Sequence, residues 1–397
     1  MTADESGRPK PYDVCTTALD WAREHEYAGW DPYDGLNSPY ARPFEHHWFT
    51  RLVWMHAVDK FPATLQRPLS IPEERNPKGI ALFALAHLDC YEATDDEDHL
   101  AQAERLLGWL DGYRSPHYET ACWGYNFDWQ NARKFFLPAY HPSVVVTVFC
   151  AQAFVRHHRL TGDEHSLGVA AEACEFIRTE INTRTIEGHE AYTYTTDDEF
   201  VVINVNALAA RLFALVAAEN GDTDLMARAD ELIAFVLSAQ EESGAWHYSM
   251  PADGSPISHD NFHTGFVLES LREYLDSGGD VSGTEAAYER GLAFYREHLF
   301  EPDGAPKFEH EQSYPRDAHA AAQSILTFVR DGRETNVAMA GEVLDWTVEN
   351  LFDDEGYFHR QQGRYLDDTT PYMRWSQAWM CYAMASIVRH RSRDEQQ

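Results

Sequence analysis

The chain contains very little lysine. Five of its 397 residues are lysine (Lys10, Lys60, Lys78, Lys134 and Lys307), so arginine supplies most positive charge, and the formal net charge is −33. The acidic residues are spread along the chain, as on a surface that stays hydrated in concentrated salt, where charge repulsion is strongly screened. We therefore expect adaptation to a salt-rich cytoplasm, with a basic partner as the alternative. Nucleic acid is excluded as a partner because its phosphates would be repelled.

Long apolar runs and metal-binding motifs are also missing. The N-terminal MTADESGRPK has no apolar core of a signal peptide, and the longest apolar stretch, VVVTVFCAQAFV from Val144, is too short to span a bilayer. The six cysteines form no CxxC pair, and neither HxH nor HExxH occurs in a metal-binding context. We expect a cytoplasmic protein with buried free thiols, no membrane span, no cofactor and no metal.

Apolar helical segments recur along the chain at intervals of 55 to 63 residues. Each of the first five is followed by a turn rich in Gly, Asp or Glu and then by a second, amphipathic helical segment. Two-helix units cannot bury both faces alone, so neighbouring units must stack. The whole chain, 1–397, is therefore predicted to form one domain, with flexible tails at 1–11 and 392–397. The apolar segments begin near Gly79, Pro142, Asn204, Phe262, Asp317 and Tyr372.

Six such units predict an all-α (α/α)6 toroid, in which six apolar helices form an inner ring inside six amphipathic ones. A helix at Val14–Glu26 supplies the outer partner of the last inner helix, Tyr372–His390. A further helix, Phe44–Lys60, is expected over the mouth of the ring. An open solenoid is the alternative, but the terminal units lack the polar caps that a solenoid needs.

Aromatic residues alternate with amides and carboxylates before the inner helices, as in CWGYNFDWQ (122–130) and GAWHYSM (244–250). In a closed toroid these segments meet around one mouth. Sugar rings offer C–H faces to aromatics and hydroxyls to amides and carboxylates, so the pattern predicts a carbohydrate cleft, with packing between helices as the alternative for any single aromatic. The predicted substrate-binding residues are Trp30, Asn76, Trp123, Tyr125, Asn126, Gln130, His141, Tyr194, Asn204, Trp246, Tyr248, Asn261, Lys307, Tyr314, Arg374 and Gln377.

Five motifs together carry a resemblance to a known family: GWDPYDGLNSP, NPKGIALF, CWGYNFDWQ, DNFHTGF and YPRDAHAAAQ. Over almost its whole length the chain resembles the AglQ family of glycan-assembly proteins from surface-polysaccharide and archaeal N-glycosylation gene clusters. The resemblance implies an (α/α)6 fold similar to glycoside hydrolases, notably unsaturated glucuronyl hydrolases. It also implies a glycan pathway and a substrate that contains hexuronic acid, as an oligosaccharide or an activated or lipid-linked sugar.

Glycoside hydrolysis requires a carboxylic acid to protonate the leaving oxygen and a second group to activate water or trap the cation. Asp128 is the favoured acid, because its aromatic neighbours would raise the pKa of its carboxyl group. Asp260 and Asp317 are predicted both as acid/base groups and as N-caps of inner helices, two roles that are compatible. The candidate carboxylates are Asp31, Asp34, Asp128, Asp260 and Asp317.

Two histidines support other classes of function. His263 and His319 lie at the starts of neighbouring inner helices, where one could remove and the other return a proton beside a carbonyl, as a sugar epimerase or isomerase requires. A uronic-acid lyase would also need a cation such as Lys307 or Arg374. A non-catalytic glycan-binding module is the third alternative.

The acidic composition predicts that the protein loses structure when salt is lowered, because the mutual repulsion of its carboxylates is then unscreened. Circular dichroism between molar and millimolar salt measures this loss. A spectrum that is unchanged over the whole range would contradict the predicted adaptation.

Overall fold

Helices dominate this computed structural model, which describes residues 10–60, 65–132, 135–252, 255 and 257–396. Two short 3-10 turns, Asp34–Asn37 and Pro39–Phe44, and a π-helical turn, Met373–Ala378, accompany the helices. In chain order the helices are α1 (Pro11–Glu24), α2 (Trp48–Lys60), α3 (Pro77–Thr94), α4 (Glu97–Gly112), α5 (Val144–Thr161), α6 (Glu164–Glu180), α7 (Ile203–Asn220), α8 (Thr223–Ser238), α9 (Asn261–Asp276), α10 (Thr284–His298), α11 (Ala318–Asp331), α12 (Glu334–Leu351) and α13 (Trp379–Gln396).

In the described part of the chain the strands are short and form antiparallel pairs in the segments between helices. Trp129 pairs with Leu137 in the first of these ribbons. The strands are β1 (Trp129–Ala132) with β2 (Phe135–Leu137), β3 (Thr183–Ile186) with β4 (His189–Tyr192), β5 (Val201–Val202) with β6 (Ser249–Met250), and β7 (Arg316–Asp317) with β8 (Gln361–Gln362).

The helices form two concentric layers. The inner helices α3, α5, α7, α9, α11 and α13 pack each against the next, and α13 packs against α3, which closes the ring. Each inner helix also packs mainly against the outer helix that follows it in the chain, and α1 is the outer partner of α13. The predicted (α/α)6 toroid is therefore confirmed, including the role of the N-terminal helix.

The difference between inner and outer helices follows from their sequences. In α7 the side chains from Ile203 to Ala217 are all buried, as a helix enclosed by two layers requires. In α8 only one stripe is buried, including Leu225, Ala229 and Ile233, and charged residues occupy the other face. The amphipathic pattern thus determines which layer each helix joins.

The acidic turns between paired helices stop one helix and start the next. Gly221 ends α7 with φ of 74°, a left-handed conformation that glycine adopts without steric cost. The Asp222 side chain then accepts hydrogen bonds from the backbone N–H groups of Asp224 and Leu225 and caps α8. Gly162 and Asp163 perform the same two roles between α5 and α6.

Several boundaries differ from the prediction. The helix over the mouth begins at Trp48 rather than Phe44, because Pro39–Phe44 forms a separate 3-10 turn. Residues 1–9 and 397 of the expected tails lie outside the described residues, whereas 392–396 continue α13. All six cysteines are buried and unpaired, as expected. Among the described residues, no helix is long and apolar enough to cross a membrane.

Close packing between repeats predicts an effect of one added methyl group. A Cβ atom on Gly291 of α10 would lie 2.5 Å from Cζ3 of the buried Trp246 ring. Gly291→Ala should therefore lower the free energy of unfolding by about 1–3 kcal/mol, measured by denaturant titration in high salt.

Gly341 of α12 is the matched control, because nothing lies within 4 Å of its added Cβ. Gly341→Ala should raise the free energy of unfolding by about 0.5–1 kcal/mol through the better helix propensity of alanine. Equal stabilisation by both substitutions would contradict the tight contact between Trp246 and α10.

Candidate active site

The N-terminal ends of the inner helices meet around one cavity of about 410 Å³. Aromatic side chains form much of its wall, and polar side chains project between them. Every inner helix contributes a lining residue from its first turn or from the turn just before it, namely Lys78, Val145, Asn204, His263, His319 and Arg374.

The cavity brings together residues that are far apart in the sequence. Tyr125 and Trp129 from the aromatic segment before α5 face Tyr248 and His263 from a later repeat. The expected meeting of these segments at one end of the molecule is thus confirmed. Of the predicted site residues, those that line the cavity are Tyr125, Tyr194, Asn204, Tyr248, His263, Asp317, His319 and Arg374.

Asp260 and His263 form a hydrogen-bonded pair at the start of α9. The Asp260 carboxylate accepts a hydrogen bond from the His263 backbone N–H at 3.0 Å, which confirms its predicted capping role. Its other oxygen lies 2.8 Å from His263 Nδ1. A proton on Nδ1 satisfies this contact and leaves Nε2 as the basic atom of the imidazole.

His319 is held by aromatic stacking instead of hydrogen bonds. Its ring stacks on Phe262 at 4.5 Å and on Trp379 at 4.4 Å between ring centroids. Neither ring nitrogen has a hydrogen-bond partner in the described part of the chain. Burial lowers the pKa of His319 well below 6.5, and the charges of Lys78 and Arg374 lower it further. His319 is therefore a neutral imidazole at pH 7.

Asp317 is the predicted carboxylate that the structure places in the cavity wall. Its side chain caps α11 by accepting a hydrogen bond from the His319 backbone N–H at 2.8 Å. Trp375 Nε1 lies 3.0 Å from each carboxylate oxygen. Burial raises the pKa of Asp317, while the charge of Arg360 opposes this shift. The result is a partly desolvated carboxyl group beside His319.

Lys78 is a cavity residue that the sequence analysis overlooked. It lies in the first turn of α3, is 3 % exposed, and places Nζ 4.3 Å from the Phe149 ring centroid and 5.1 Å from that of Trp379. No carboxylate forms an ion pair with Lys78 among the described residues. Burial lowers its pKa well below 10.5, and Arg374 lowers it further. The sequence signal that could have identified Lys78 is a lysine next to the apolar run of NPKGIALF in a chain that contains very little lysine.

Arg374 is anchored by Asp31 at the closure of the ring. The guanidinium group donates to both carboxylate oxygens, at 2.5 Å from Nε and 2.8 Å from Nη2, and both residues are buried. Asp34 accepts a hydrogen bond from the Asp31 backbone N–H at 2.8 Å. Burial and the charge of Asp31 raise the pKa of Asp34 well above 3.8. Asp31 and Asp34 thus support Arg374 from outside the cavity lining.

Other lining residues also escaped prediction. Arg360 lies in the segment before the last inner helix and donates a hydrogen bond to Asp59 of α2 at 2.6 Å. This contact joins the helix over the mouth to the cavity wall. Several of the other lining residues that were missed are aromatic and lie one to three positions from predicted residues. They are Tyr33, Trp129, Phe262, Phe266 and Trp375.

Asp128, the favoured acid of the sequence analysis, lies outside the cavity lining. One of its oxygens accepts a hydrogen bond from the Ala139 backbone N–H at 2.8 Å. This contact ties the aromatic segment to the loop before α5. Phe127 and Trp123 are fully buried, so the alternating segment directs only Tyr125 and Trp129 into the cavity.

Two of the three tryptophans predicted to bind substrate, Trp123 and Trp246, lie between helices. Trp123 Nε1 donates to the Leu110 carbonyl oxygen of α4 at 2.8 Å, and Trp246 Nε1 donates to that of Val236 in α8 at 2.9 Å. In two different repeats, therefore, the tryptophan that precedes the inner helix binds the C-terminal part of the outer helix. This is the packing alternative that the sequence left open.

The remaining predicted binding residues also lie outside the cavity lining. Some of them bind backbone groups: Trp30 donates to Ile71 O, Asn261 donates to Leu299 O, the Lys307 backbone N–H donates to Leu299 O, and Gln377 binds the Phe358 backbone. Asn76 caps α3 and donates to Asn126. Others contact neighbouring side chains: Gln130 accepts from Arg51, His141 Nε2 lies 3.1 Å from Thr196 Oγ1, and Tyr314 lies under Arg316.

A group of metal-ligating side chains lies beside the cavity. Glu241, His247 and His259 each place a donor atom within 4.8 Å of the other two. None of the three lines the cavity itself.

No protein-family profile matches the sequence, and no curated protein is significantly similar to it. Several solved structures share its fold. Cellobiose 2-epimerase from Bacillus thermoamylovorans B4167 matches at 15 % identity over 80 % of this chain and 90 % of its own, with a TM-score of 0.61. The GH76 α-mannanase from Bacteroides thetaiotaomicron matches at 11 % identity over 83 % and 90 %, with a TM-score of 0.64.

An unsaturated glucuronyl hydrolase specific for heparin is a third neighbour, at 12 % identity over 80 % of this chain and 86 % of its own, with a TM-score of 0.57. Epimerases and hydrolases thus share this architecture. At these identities the likeness establishes the fold alone, which is the (α/α)6 toroid.

Proposed function

We propose that the cavity is the active site of a carbohydrate-active enzyme that moves a proton at a sugar carbon next to a carbonyl group, as a sugar epimerase or isomerase does. The observation that carries this proposal is the pair of histidines on neighbouring inner helices. His263 is oriented by Asp260, and His319 has both ring nitrogens unbound in the described part of the chain. Both imidazoles line the same cavity.

The proposed reaction needs one base and one acid. One histidine removes the proton from the carbon, and the bonding electrons move to the carbonyl oxygen to form an enediolate. The other histidine returns a proton, either to the opposite face of the same carbon or to the neighbouring carbon. Asp260 is a positioning residue, because its contact with Nδ1 determines which nitrogen of His263 is the basic one.

Charge in the cavity favours an anionic sugar. The N-terminal ends of six helices surround it, and the partial positive charge of each helix N-terminus attracts anions. Lys78 adds an amine that has no ion-pair partner among the described residues and that a bound anion would stabilise in its charged form, whereas Arg374 is already paired with Asp31. We therefore assign to Lys78 the role of binding the substrate carboxylate or the oxygen on which negative charge develops in the enediolate. This supports a hexuronic acid, in line with the resemblance to the AglQ family and its glycan pathway.

The cavity walls are suited to a sugar ring. Tyr125, Trp129 and Tyr248 offer aromatic faces to C–H groups, and the Asn204 Oδ1 atom has no hydrogen-bond partner among the described residues. The cellobiose 2-epimerase neighbour indicates that this fold accommodates epimerisation, but its substrate is not assigned to this chain.

A glycoside hydrolase is the second candidate, and Asp317 is the observation that favours it. Burial raises the pKa of this cavity carboxyl group, as a catalytic acid requires. The second carboxylate of the lining, Asp59, is bound by Arg360 at 2.6 Å. The glucuronyl hydrolase and mannanase neighbours support this alternative at the level of fold.

Replacing either histidine should abolish proton exchange. Wild-type protein incubated in D2O with D-glucuronate, D-galacturonate or a uronic-acid disaccharide should incorporate deuterium next to the carbonyl carbon, measured by NMR and mass spectrometry. His263→Asn and His319→Asn should each reduce this rate at least about a hundredfold, because general acid–base catalysis contributes that much or more.

His165→Asn is the matched control, since His165 is an exposed residue of outer helix α6 that pairs with Asp111. Its exchange rate should equal that of the wild type. A product that gains water, together with loss of activity in Asp317→Asn and not in His319→Asn, would contradict the proposed epimerase or isomerase and support the glycoside hydrolase. Sugar binding that persists in every variant without turnover would indicate a glycan-binding module.

Binding of an anionic sugar should strengthen as the pH falls. A bound carboxylate raises the pKa of Lys78, which is lowered in the free protein, so binding takes up a proton between these two pKa values. The Kd for D-glucuronate, measured by calorimetry at several pH values below 10.5, should fall by up to about tenfold per pH unit within that window.

Lys78→Met should weaken D-glucuronate binding and remove this pH dependence. Lys307→Met is the control, because Lys307 lies outside the cavity lining. This substitution should leave the affinity for D-glucuronate and its pH dependence unchanged. A stronger effect of Lys307→Met would instead support its predicted role as the substrate-binding cation.

A further inference from the structure

A carboxylate and two imidazoles converge beside the cavity. His247 Nε2 lies 2.6 Å from Glu241 Oε1, and His259 Nε2 lies 3.3 Å from Glu241 Oε2. The His247 and His259 ring centroids are 4.7 Å apart. We call these three residues the Glu-His-His cluster. Glu241 and His247 lie in the segment after α8, and His259 directly precedes the N-cap of α9. The three residues therefore form no compact sequence motif.

A third imidazole adjoins the Glu-His-His cluster. The His310 ring centroid lies 5.0 Å from that of His259, and the His310 backbone N–H donates to the His259 carbonyl oxygen at 3.1 Å. Two buried ring nitrogens, His247 Nδ1 and His310 Nδ1, have no hydrogen-bond partner in the described part of the chain, and His259 Nε2 has only the 3.3 Å contact with Glu241.

An ordinary ion pair explains only part of this arrangement. A protonated His247 beside Glu241 would account for the 2.6 Å contact. It would not account for the second imidazole on the other oxygen of the same carboxylate, or for the third imidazole behind it. Several imidazoles that share one carboxylate repel each other when protonated, whereas neutral imidazoles and a carboxylate are ligands that a metal cation holds together.

We propose that Glu241, His247 and His259 bind a divalent transition-metal ion, with Zn²⁺ the best match. Two imidazole nitrogens and one carboxylate oxygen are a common protein donor set for zinc, and a fourth position remains for His310 or water. Tetrahedral zinc with bonds of about 2.0–2.1 Å separates its ligand atoms by about 3.3 Å. The donor atoms already lie within 4.8 Å of one another, so small side-chain shifts suffice.

The cluster is accessible to an ion from solvent. The side chains of Glu241, His247 and His259 are 35 %, 27 % and 13 % exposed, so a path for the ion exists without unfolding. The packing of Phe294 against both His259 and His310 provides an apolar wall on one side.

A metal here would stiffen the wall of the cavity. His247 directly precedes Tyr248, and His259 directly precedes Asp260, which orients His263. The Tyr248 ring packs on His263 at 4.6 Å. The ion would therefore join the two segments that position His263. The metal site is independent of the reaction proposed for the cavity, since it stands on its own donor geometry.

Calorimetric titration of the full-length protein with Zn²⁺ tests the proposal. After treatment with EDTA and dialysis, the wild type should bind one Zn²⁺ per chain with a rise in Tm, and affinity should fall at lower pH because protons compete for imidazole. His247→Ala and His259→Ala should each weaken binding at least about a hundredfold. Circular dichroism establishes whether each variant is folded.

His99→Ala is the matched control, because His99 belongs to a different histidine pair, with Nδ1 2.9 Å from His87 Nδ1. It should bind Zn²⁺ as the wild type does. Co²⁺ bound to unmodified protein provides a second measurement, since a tetrahedral nitrogen and oxygen site should give intense visible absorption bands. Absence of stoichiometric binding, or Zn²⁺ affinity that is unchanged in folded His247→Ala, would overturn the proposal.

Discussion

Closure of six inner helices into one ring is the constraint on which the site depends. Because each repeat runs in the same direction, all six helix N-termini surround a single cavity. Their unpaired backbone N–H groups need acceptors, and Asn76, Asp260 and Asp317 supply them. Capping thus concentrates polar side chains at the mouth. The same ring closure pairs Arg374 with Asp31 across the first and last units of the chain.

Electrostatics differ between the two ends of the ring. The C-terminal halves of the inner helices carry arginines such as Arg156 and Arg389, which share the buried Asp89 carboxylate. Cations there compensate the partial negative charge of helix C-termini. At the other end Lys78 lies among aromatic rings without such a carboxylate in the described residues, and His319 stays neutral. The ion pairs of Asp89 thus lie at the end of the ring opposite the cavity.

In this architecture the carboxylates that cap inner helices also contact side chains of the cavity wall. Asp260 starts α9 with one carboxylate oxygen and orients His263 with the other. Asp317 caps α11 beside His319 while it accepts from Trp375. A carboxylate that caps an inner helix therefore lies in the cavity wall, as Asp317 does, or beside it, as Asp260 does.

The sequence alone determined the two-layer toroid, because apolar periodicity, acidic turns and the spacing of repeats are local properties. It also identified His263, His319 and Asp317, which occupy the first turns of inner helices or their caps. Only the tertiary structure decided which aromatics face the cavity. Asp128 binds the Ala139 backbone, and Trp123 fills the space between helices, since side-chain direction depends on how neighbouring repeats pack. The meeting of the segments at one mouth followed from the predicted toroid, whereas the inclusion of Lys78 and Arg360 in the cavity lining depends on packing that no local pattern specifies.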